Sequence, residues 1–181
     1  MASHLKLKVL LVGPEKCGKS QMANFLAELT ENLPGPDAPY TPTAGVRILE
    51  FDRQVGDGQS SNSWERDTKV AVELWDVSGH HQYEACWPAI MKDSDAVILM
   101  YNIENQGHVR EIELWYEFFI QNAGLNDQQC IAFAHRSDSQ KLIPKVKNPR
   151  VGQVPIIGTA SDEESIPIIQ KEFESFIQEL I

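Results

Sequence analysis

The sequence predicts an α/β fold in which helices cover both faces of a six-stranded, mostly parallel sheet. Short apolar stretches of strand length alternate with longer stretches in which apolar residues recur at helical spacing. This alternation is typical of parallel sheets, because the crossover between two parallel strands usually contains a helix. A chain of 181 residues is long enough to bury a substantial core. We therefore expect a single domain over residues 1–181.

Six strands and three helices follow from the hydrophobic pattern. The predicted strands cover residues 5–12, 46–51, 69–75, 96–101, 130–134 and 154–157. The predicted helices begin near Ser20, span residues 108–122 and begin near Ser165. Residues 31–42 contain four prolines and a glycine and are expected to form a loop. The polar stretch 52–68 is expected to be a long, mobile hairpin connection.

A glycine-containing segment joins the first strand to the first helix. Residues 13–20 read Gly-Pro-Glu-Lys-Cys-Gly-Lys-Ser, which is the G-x-x-x-x-G-K-S pattern of phosphate-binding loops (P-loops). In that pattern backbone N–H groups surround a phosphate chain, the lysine contacts the β- and γ-phosphates, and the serine hydroxyl binds Mg²⁺. Strand, loop and helix follow in the required order, so Lys19 and Ser20 are expected to act in this way. The competing interpretation is a turn that binds nothing.

Two later stretches supply the other groups that a metal–triphosphate site needs. Thr43 precedes the second strand, where its hydroxyl can reach Mg²⁺. Asp76 ends the third strand, which is the position from which P-loop proteins hold Mg²⁺. The N–H of Gly79 can meet a γ-phosphate. We therefore predict Ser20, Thr43 and Asp76 as metal ligands.

Taken together, these motifs resemble those of the Ras-like small GTPases, a family of P-loop NTPases. Residues 42–51 (PTAGVRILEF), residues 86–93 (CWPAIMKD) and the absence of a late cysteine for prenylation resemble more closely the Rab-like subunit of the intraflagellar transport B complex of cilia and flagella. The resemblance implies a Ras-like G domain that binds GTP or GDP with Mg²⁺. It also implies two mobile switch loops, 31–45 and 77–88, and docking on coiled-coil subunits of that complex, at the cilium or flagellum and its base.

The resemblance also implies which residues contact the nucleotide. The implied phosphate-side contacts are Gly13, Glu15, Lys16, Cys17, Gly18, Lys19, Ser20, Gln21, Thr43 and Gly79. Tyr40 resembles a tyrosine that covers the γ-phosphate, with an ordinary surface tyrosine as the alternative. Asp138 would accept hydrogen bonds from guanine N1 and N2, unless it is only a solvated loop acid, and Arg136 would stack on the base. Thr159 and Ala160 resemble the family's S-A-K loop, in which the alanine N–H meets guanine O6.

Departures from the family pattern indicate slow hydrolysis and altered base recognition. His80 stands where most members carry the glutamine that orients the attacking water, and an imidazole lacks the paired donor and acceptor of an amide. His80 is nevertheless the candidate for positioning water. Glu15 replaces a usual glycine and adds negative charge near the γ-phosphate, and no activating arginine is evident in the chain itself. The N-K-x-D pattern appears as residues 135–138 (HRSD), which keep only the carboxylate.

Charge and cysteine content exclude several kinds of partner. The net charge of −10 and the pI near 4.9 would repel nucleic acid and anionic membranes. Three cysteines without C-x-x-C spacing suit a reducing, cytoplasmic compartment. Cys17 is expected to be an inert filler rather than a reactive thiol. We expect no membrane anchor in the chain, because the longest apolar run is short and neither a signal peptide nor a lipidation motif is present.

The sequence leaves four functions open. The first is a GTP-dependent switch subunit with little or no hydrolysis, and the second is a conventional GTPase that an external protein activates. The third, an ATP-using kinase, is disfavoured because no arginine-rich lid is evident. The fourth is a scaffold that does not need nucleotide, and the altered residues 135 and 136 keep it open. If Tyr83, Trp87 and Pro88 are exposed in the second switch loop, they are expected to form a partner site.

Overall fold

A single six-stranded sheet organises the part of the chain that the computed structural model describes, which is residues 5–35, 37–55, 68–136 and 151–181. The strands are β1 (Leu5–Val12), β2 (Val46–Val55), β3 (Thr68–Val77), β4 (Ala96–Asn102), β5 (Cys130–Arg136) and β6 (Ile156–Ala160). Their spatial order is β2-β3-β1-β4-β5-β6. The β2–β3 pair is antiparallel and the other neighbours are parallel. The predicted fold class is confirmed.

Four α-helices accompany the sheet in the described residues. They are α1 (Lys19–Leu26), α2 (Trp87–Met91), α3 (Gln106–Tyr116) and α4 (Ser165–Glu179). A π-helical turn, Glu117–Gln121, continues α3, and 3₁₀ turns cover His81–Cys86 and Asp127–Gln129. Among the residues described, no helix is both long and apolar enough to cross a bilayer.

Two apolar layers cover the two faces of the sheet. Successive side chains of a strand point to opposite faces, so Val9 and Leu10 of β1 enter different layers. Val9 packs in a layer with Phe25 of α1 and Phe173 of α4. Leu10 packs in the other layer with Trp115 of α3. Burial on both faces fixes the sheet and so fixes the carboxyl ends of its parallel strands, where the predicted site residues lie.

The antiparallel pair is longer than predicted. β2 continues through four residues that were assigned to the hairpin connection, and Val55 pairs with Thr68 of β3. The polar residues of β2 alternate with partly buried ones because an edge strand keeps one face in solvent. The rest of the predicted connection, residues 56–67, lies outside the described residues. β6 begins two residues later than predicted, at Ile156.

Candidate nucleotide-binding site

A cleft of about 620 Å³ lies at the carboxyl ends of the parallel strands. Its walls are the β1–α1 loop, residues 34, 35 and 38–44, the start of β2, and single residues that follow or end β3, β5 and β6. The volume is within the range of small-molecule sites. Ligands of open α/β sheets bind at this edge, so the cleft is the candidate functional site.

The β1–α1 loop wraps tightly enough to point its backbone into the cleft. Gly13 has φ +147°, and a β-carbon there would lie 1.9 Å from the carbonyl oxygen of Met100, so this position requires glycine. Lys16 and Gly18 also have positive φ values, 58° and 94°. Successive residues of this geometry turn their N–H groups toward one point, which is how P-loops and similar turns bind anions.

Lys19 places an ammonium group at the centre of the loop. Only 6% of the residue is exposed, and Nζ donates to the carbonyl oxygen of Pro14 at 2.6 Å. Lys19 is also the first residue of α1, whose N-terminal N–H groups and dipole favour an anion at the same place. Gln21 lines the same wall of the cleft. The loop therefore combines a buried positive charge with the N-terminus of a helix.

The thiol of Cys17 is structural. The residue is buried, and Sγ donates to the carbonyl oxygen of Met100 at 3.2 Å. Burial raises the pKa of this thiol, and the nearby Lys19 only partly opposes the shift. A buried thiol with a raised pKa is unreactive, so the prediction of an inert filler is confirmed.

The three predicted metal ligands converge beside Lys19. Ser20 Oγ lies 2.7 Å from Thr43 Oγ1, although 23 residues separate them in sequence. Asp76 has no exposed surface, and neither carboxylate oxygen accepts a hydrogen bond from the residues described. Burial raises the pKa of the Asp76 carboxyl, and a polar contact with the Ser20 hydroxyl and the positive charges of Arg47 and Lys19 oppose that shift.

Magnesium fits this group of residues. Two hydroxyls and a carboxylate are the hard oxygen ligands that Mg²⁺ prefers, and Mg²⁺ sites usually complete their coordination with water and substrate phosphates. A buried carboxylate without hydrogen bonds is costly unless a cation compensates it. Within the described ranges, His, Cys, Asp and Glu side chains form no cluster of three that could hold a metal alone. The donor set therefore suits a metal that arrives with a phosphate ligand.

Arg47 is a site residue that the sequence analysis did not assign. It lies directly opposite Asp76 in the β2–β3 register and lines the cleft. Its Nη2 lies 3.2 Å from Asp76 Oδ2 and donates to the carbonyl oxygen of Ser20 at 3.1 Å. The position follows from the register of two strands, so only a correct pairing of β2 with β3 could have revealed it.

Glu15, Tyr40 and Gly79 close one end of the cleft. A β-carbon on Gly79 would lie 2.4 Å from the backbone nitrogen of Glu15, which shows how closely the segment after β3 approaches the loop. Burial and the Glu15 carboxylate raise the pKa of the Tyr40 hydroxyl, and Lys16 Nζ lies 5.5 Å from the centre of the Tyr40 ring. Tyr40 thus lies beside the loop with 49% of its surface exposed, and its expected place over a γ-phosphate stays a prediction.

His80 is tied to its own turn rather than to the loop. It is exposed, and its Nδ1 accepts the N–H of Gln82 at 3.1 Å, which caps the 3₁₀ turn. The next residue, His81, is exposed and bonds to the carboxylates of Glu84 and Glu111, and these bonds raise the pKa of its imidazole.

The expected apolar partner site in the second switch loop is only partly present. Trp87 is 2% exposed, because its indole packs against Trp115, Phe118 and Phe119. Pro88 is exposed. The condition for that partner site is therefore not met at Trp87, which begins α2 and belongs to the core layer beneath it.

His135 holds the other end of the cleft together. It is 6% exposed, and its Nδ1 and Nε2 lie 3.1 and 3.2 Å from the hydroxyls of Thr159 and Ser161. Burial lowers the pKa of the imidazole to about 4, so it is neutral near pH 7. His135 stands where the N-K-x-D pattern has its asparagine. Its place as the first residue of the N-K-x-D pattern was the signal that could have identified it as a link between β5 and β6.

The base-side residues are only partly described. Arg136 ends β5 beside His135, whereas Asp138 lies outside the described residues. The backbone N–H of Ala160 donates to Ser165 Oγ at 2.9 Å in a buried bond, so it does not point at a ligand. The expected contact between this N–H and a base is therefore wrong for this arrangement. Ser161, the next residue, lines the cleft instead.

Comparison with known proteins gives concordant results. The family model described as the Ras of Complex (Roc) domain of DAPkinase matches residues 8–138. A Danio rerio intraflagellar transport protein 22 homolog is 40% identical over 176 residues, which are 95% of this chain and 88% of that protein. A homolog from Xenopus tropicalis is 44% identical over 131 residues, which are 72% of this chain and 65% of that protein.

A solved structure is similar over nearly the whole chain. It is the GTP-bound crystal structure of T. brucei IFT22/74/81, with a TM-score of 0.65 and 26% identity over 95% of each chain. The fold, the order of the site motifs and the sequence matches all agree. The chain therefore belongs to the intraflagellar transport protein 22 family, whose members carry a Ras-like GTPase domain.

Proposed function

We propose that this chain is a guanine-nucleotide-binding switch subunit of the intraflagellar transport B complex. The observation that carries the proposal is the convergence of Ser20, Thr43 and Asp76 beside the Lys19 ammonium, at the open edge of the sheet. Such a group has one evident use, which is to hold a metal-bound phosphate chain. GTP and GDP are the expected ligands, and Mg²⁺ is the expected metal.

Each phosphate-side residue has a distinct task in the proposed complex. Lys19 would exchange its bond to the Pro14 carbonyl for the β- and γ-phosphates, and the N–H groups of residues 15–20 would surround the phosphate oxygens. Ser20, Thr43 and Asp76 would hold Mg²⁺, which neutralises phosphate charge when bound. Gly79 would bring its N–H to the γ-phosphate, because this segment already lies against the loop.

Base selection rests on the loops after β5 and β6. Asp138 would accept the N1 and N2 hydrogens of guanine, which adenine does not offer in that arrangement. Arg136 would stack on the base, and His135 would keep the two loops together through Thr159 and Ser161. The GTP-bound state of the T. brucei relative supports guanine over adenine.

Hydrolysis is proposed to be slow. His80 occupies the position at which other members carry the residue that orients the attacking water. Its Nδ1, however, already accepts a hydrogen bond from the backbone N–H of Gln82. Glu15 and Tyr40 lie against each other at the loop, and the Glu15 carboxylate adds negative charge where the γ-phosphate would lie. An arginine supplied to such a site raises the rate by about 10³–10⁵, so without one the chain is expected to act by binding rather than by turnover.

The proposed partners are the coiled-coil subunits that correspond to proteins 74 and 81 of the T. brucei assembly. Relatives from fish to trypanosomes carry the name intraflagellar transport protein 22, which supports a place in the cytoplasm at the cilium or flagellum and its base. The two switch loops, residues 31–45 and 77–88, are the segments whose shape would report the bound nucleotide.

Calorimetric titration of the nucleotide-free chain with GTP, GDP and ATP in Mg²⁺ tests the nucleotide part of the proposal. We expect GTP to bind at least about tenfold more tightly than ATP. Lys19→Ala should weaken GTP binding by about a hundredfold or more, since it removes the only cation at the loop centre among the described residues. Lys171→Ala, on the exposed face of α4, is the matched control and should bind like the wild type. Equal affinity for GTP and ATP would contradict the base assignment.

Co-purification with the two expected partner subunits tests the docking part. The wild type should form a three-chain complex. If the nucleotide site controls the shape of the switch segments, the Ser20→Asn variant should not form this complex. A complex that forms equally well with Ser20→Asn would instead favour a scaffold that does not need nucleotide. Discovery of a protein that raises the hydrolysis rate by orders of magnitude would favour a conventional GTPase.

A further inference from the structure

Arg47 contacts both β3 and α1 at the end of the cleft where the proposed metal ligands lie. Its guanidinium lies 3.2 Å from Asp76 Oδ2 and also donates to the carbonyl oxygen of Ser20 at 3.1 Å. Asp76 and Ser20 are two of the three proposed metal ligands. The third, Thr43, lies four residues before Arg47 and is itself within 2.7 Å of Ser20 Oγ.

The contact with Asp76 is electrostatic. Among the residues described, the fully buried carboxylate is compensated by a polar contact with the Ser20 hydroxyl and by the positive charges of Arg47 and Lys19. Arg47 supplies such a charge permanently, because a guanidinium does not lose its proton in proteins. Arg47 therefore holds a positive charge against Asp76 whether or not a metal ion is bound.

A second cation at this position changes the balance of metal binding. Mg²⁺ held by Ser20, Thr43 and Asp76 would lie within a few ångströms of the guanidinium, and like charges at that distance repel even under strong screening. The benefit that Mg²⁺ normally brings, an ordered and neutralised Asp76, is already present. The Ser20–Thr43 contact likewise holds the first switch segment against α1 without the metal.

We propose that Arg47 acts as a built-in cation that makes nucleotide binding by this chain largely independent of Mg²⁺. The inference rests on the proposed function, since it concerns the same cleft. Arg47 is a positioning residue for Asp76 and a competitor for the metal charge. If Arg47 competes with the metal in this way, the GTP complex should bind Mg²⁺ more tightly when the arginine is removed.

The chain contains a close internal control for this role. Arg53 lies on the same strand, six residues later, and bonds to the carbonyl oxygen of Leu26 of α1. It also forms an ion pair with Glu28, at 2.7 Å. Arg47 and Arg53 therefore make the same kind of strand-to-helix contact, but Arg53 does so outside the cleft. Arg53→Gln removes such a contact without touching the proposed metal ligands.

The experiment measures the dissociation constant of GTP calorimetrically, once with EDTA and once with excess Mg²⁺, for the wild type, Arg47→Gln and Arg53→Gln. Thermal unfolding in both solutions checks that each variant is folded. For the wild type, the two constants should differ by less than about tenfold. For Arg47→Gln the difference should grow by about tenfold or more, because Mg²⁺ then replaces the missing charge. Arg53→Gln should retain the wild-type ratio.

The inference is overturned if Arg47→Gln keeps the wild-type ratio. If Arg47→Gln does not fold, the wild type decides alone: a loss of affinity in EDTA larger than about tenfold contradicts a built-in cation. A wild type that binds no GTP in either solution would mean that the proposed function itself has failed. Binding with an unchanged ratio would remove only the role of Arg47.

Discussion

The α-carbon of Gly79 faces the backbone of Glu15 so closely that a β-carbon would lie 2.4 Å from the Glu15 nitrogen and 2.6 Å from the carbonyl carbon of Pro14. Residues 78–80 follow β3, and residues 14–15 belong to the loop after β1. Parallel pairing of β1 with β3 brings the two loops together. We therefore expect the position of the segment after β3 to depend on what the loop binds.

Gly79→Ala should prevent this approach. The clash is with backbone atoms, which cannot rotate away, so we expect the free energy of unfolding to fall by about 1–3 kcal/mol. We also expect the substitution to weaken the binding of GTP more than the binding of GDP. Gly35→Ala is the matched control, because a β-carbon there would meet no atom within 4 Å although the residue lines the same cleft. Denaturant unfolding and nucleotide titration measure both effects. A Gly79→Ala variant as stable as Gly35→Ala would refute the close approach.

The contact between Ser20 and Thr43 makes a second prediction. Thr43→Val keeps the shape of the side chain but removes the hydroxyl that lies 2.7 Å from Ser20 Oγ. One such bond contributes about 0.5–1.5 kcal/mol, so GTP should dissociate several-fold faster. Thr41→Val removes an exposed hydroxyl from the same segment and serves as the control. Stopped-flow release of a fluorescent GTP analogue gives both rates; identical rates would mean that Thr43 does not hold the segment.

The imidazole of His135 should make stability depend on pH. Its pKa is lowered to about 4 in the folded chain from an ordinary value of 6.5, so the unfolded chain binds the proton more readily. Stability is therefore retained above pH 6.5 and falls between pH 6.5 and 4. The loss is as much as about 3 kcal/mol if the shift is expressed fully.

His135→Asn is the variant that isolates this effect, because an amide can still bond to Thr159 and Ser161 but does not titrate. Urea unfolding at pH 7 and pH 5 should show a smaller loss for His135→Asn than for the wild type. Carboxylates and other histidines contribute equally to both proteins and cancel in the comparison. Equal losses would place the imidazole in solvent rather than between β5 and β6.

The three cysteines should differ sharply in reactivity. Cys86 is exposed in the second switch segment, whereas Cys17 and Cys130 are buried. Burial raises the pKa of Cys130 to about 12 and that of Cys17 above its ordinary value. A thiol reagent should therefore label one cysteine per native chain rapidly, and Cys86→Ser should abolish that rapid phase. Rapid labelling that survives in Cys86→Ser would show that the core opens at Cys17 or Cys130.

Much of the fold could be predicted because periodicity reports burial directly. The fully apolar stretch at residues 96–101 and the regular spacing in α4 each match the observed element closely. The end of β2 was missed because residues 52–55 alternate in burial on an edge strand, and their polarity resembles that of a loop. The exposure of Trp87 was left open because a pattern does not tell on which side of a short helix an aromatic ring packs.

The site residues also divide into those that the sequence could predict and those that it could not. Lys19, Ser20, Thr43 and Asp76 were predictable because each occupies a fixed place in an ordered set of motifs. Arg47 was not, because its role depends on facing Asp76 across two strands, which is a matter of register rather than of sequence spacing. Ala160 was assigned by resemblance, and the local Ser165 hydroxyl captures its N–H.

The most direct test of the central claim is to identify and count what the purified chain carries. Protein isolated without added nucleotide is denatured, and the released small molecules are separated and quantified. The account predicts guanine nucleotide, approaching one per chain, with adenine nucleotide at background level and with Lys19→Ala carrying far less. A chain that carries no nucleotide and binds none on later addition of GTP would contradict the account and leave the cleft as inherited architecture of a scaffold.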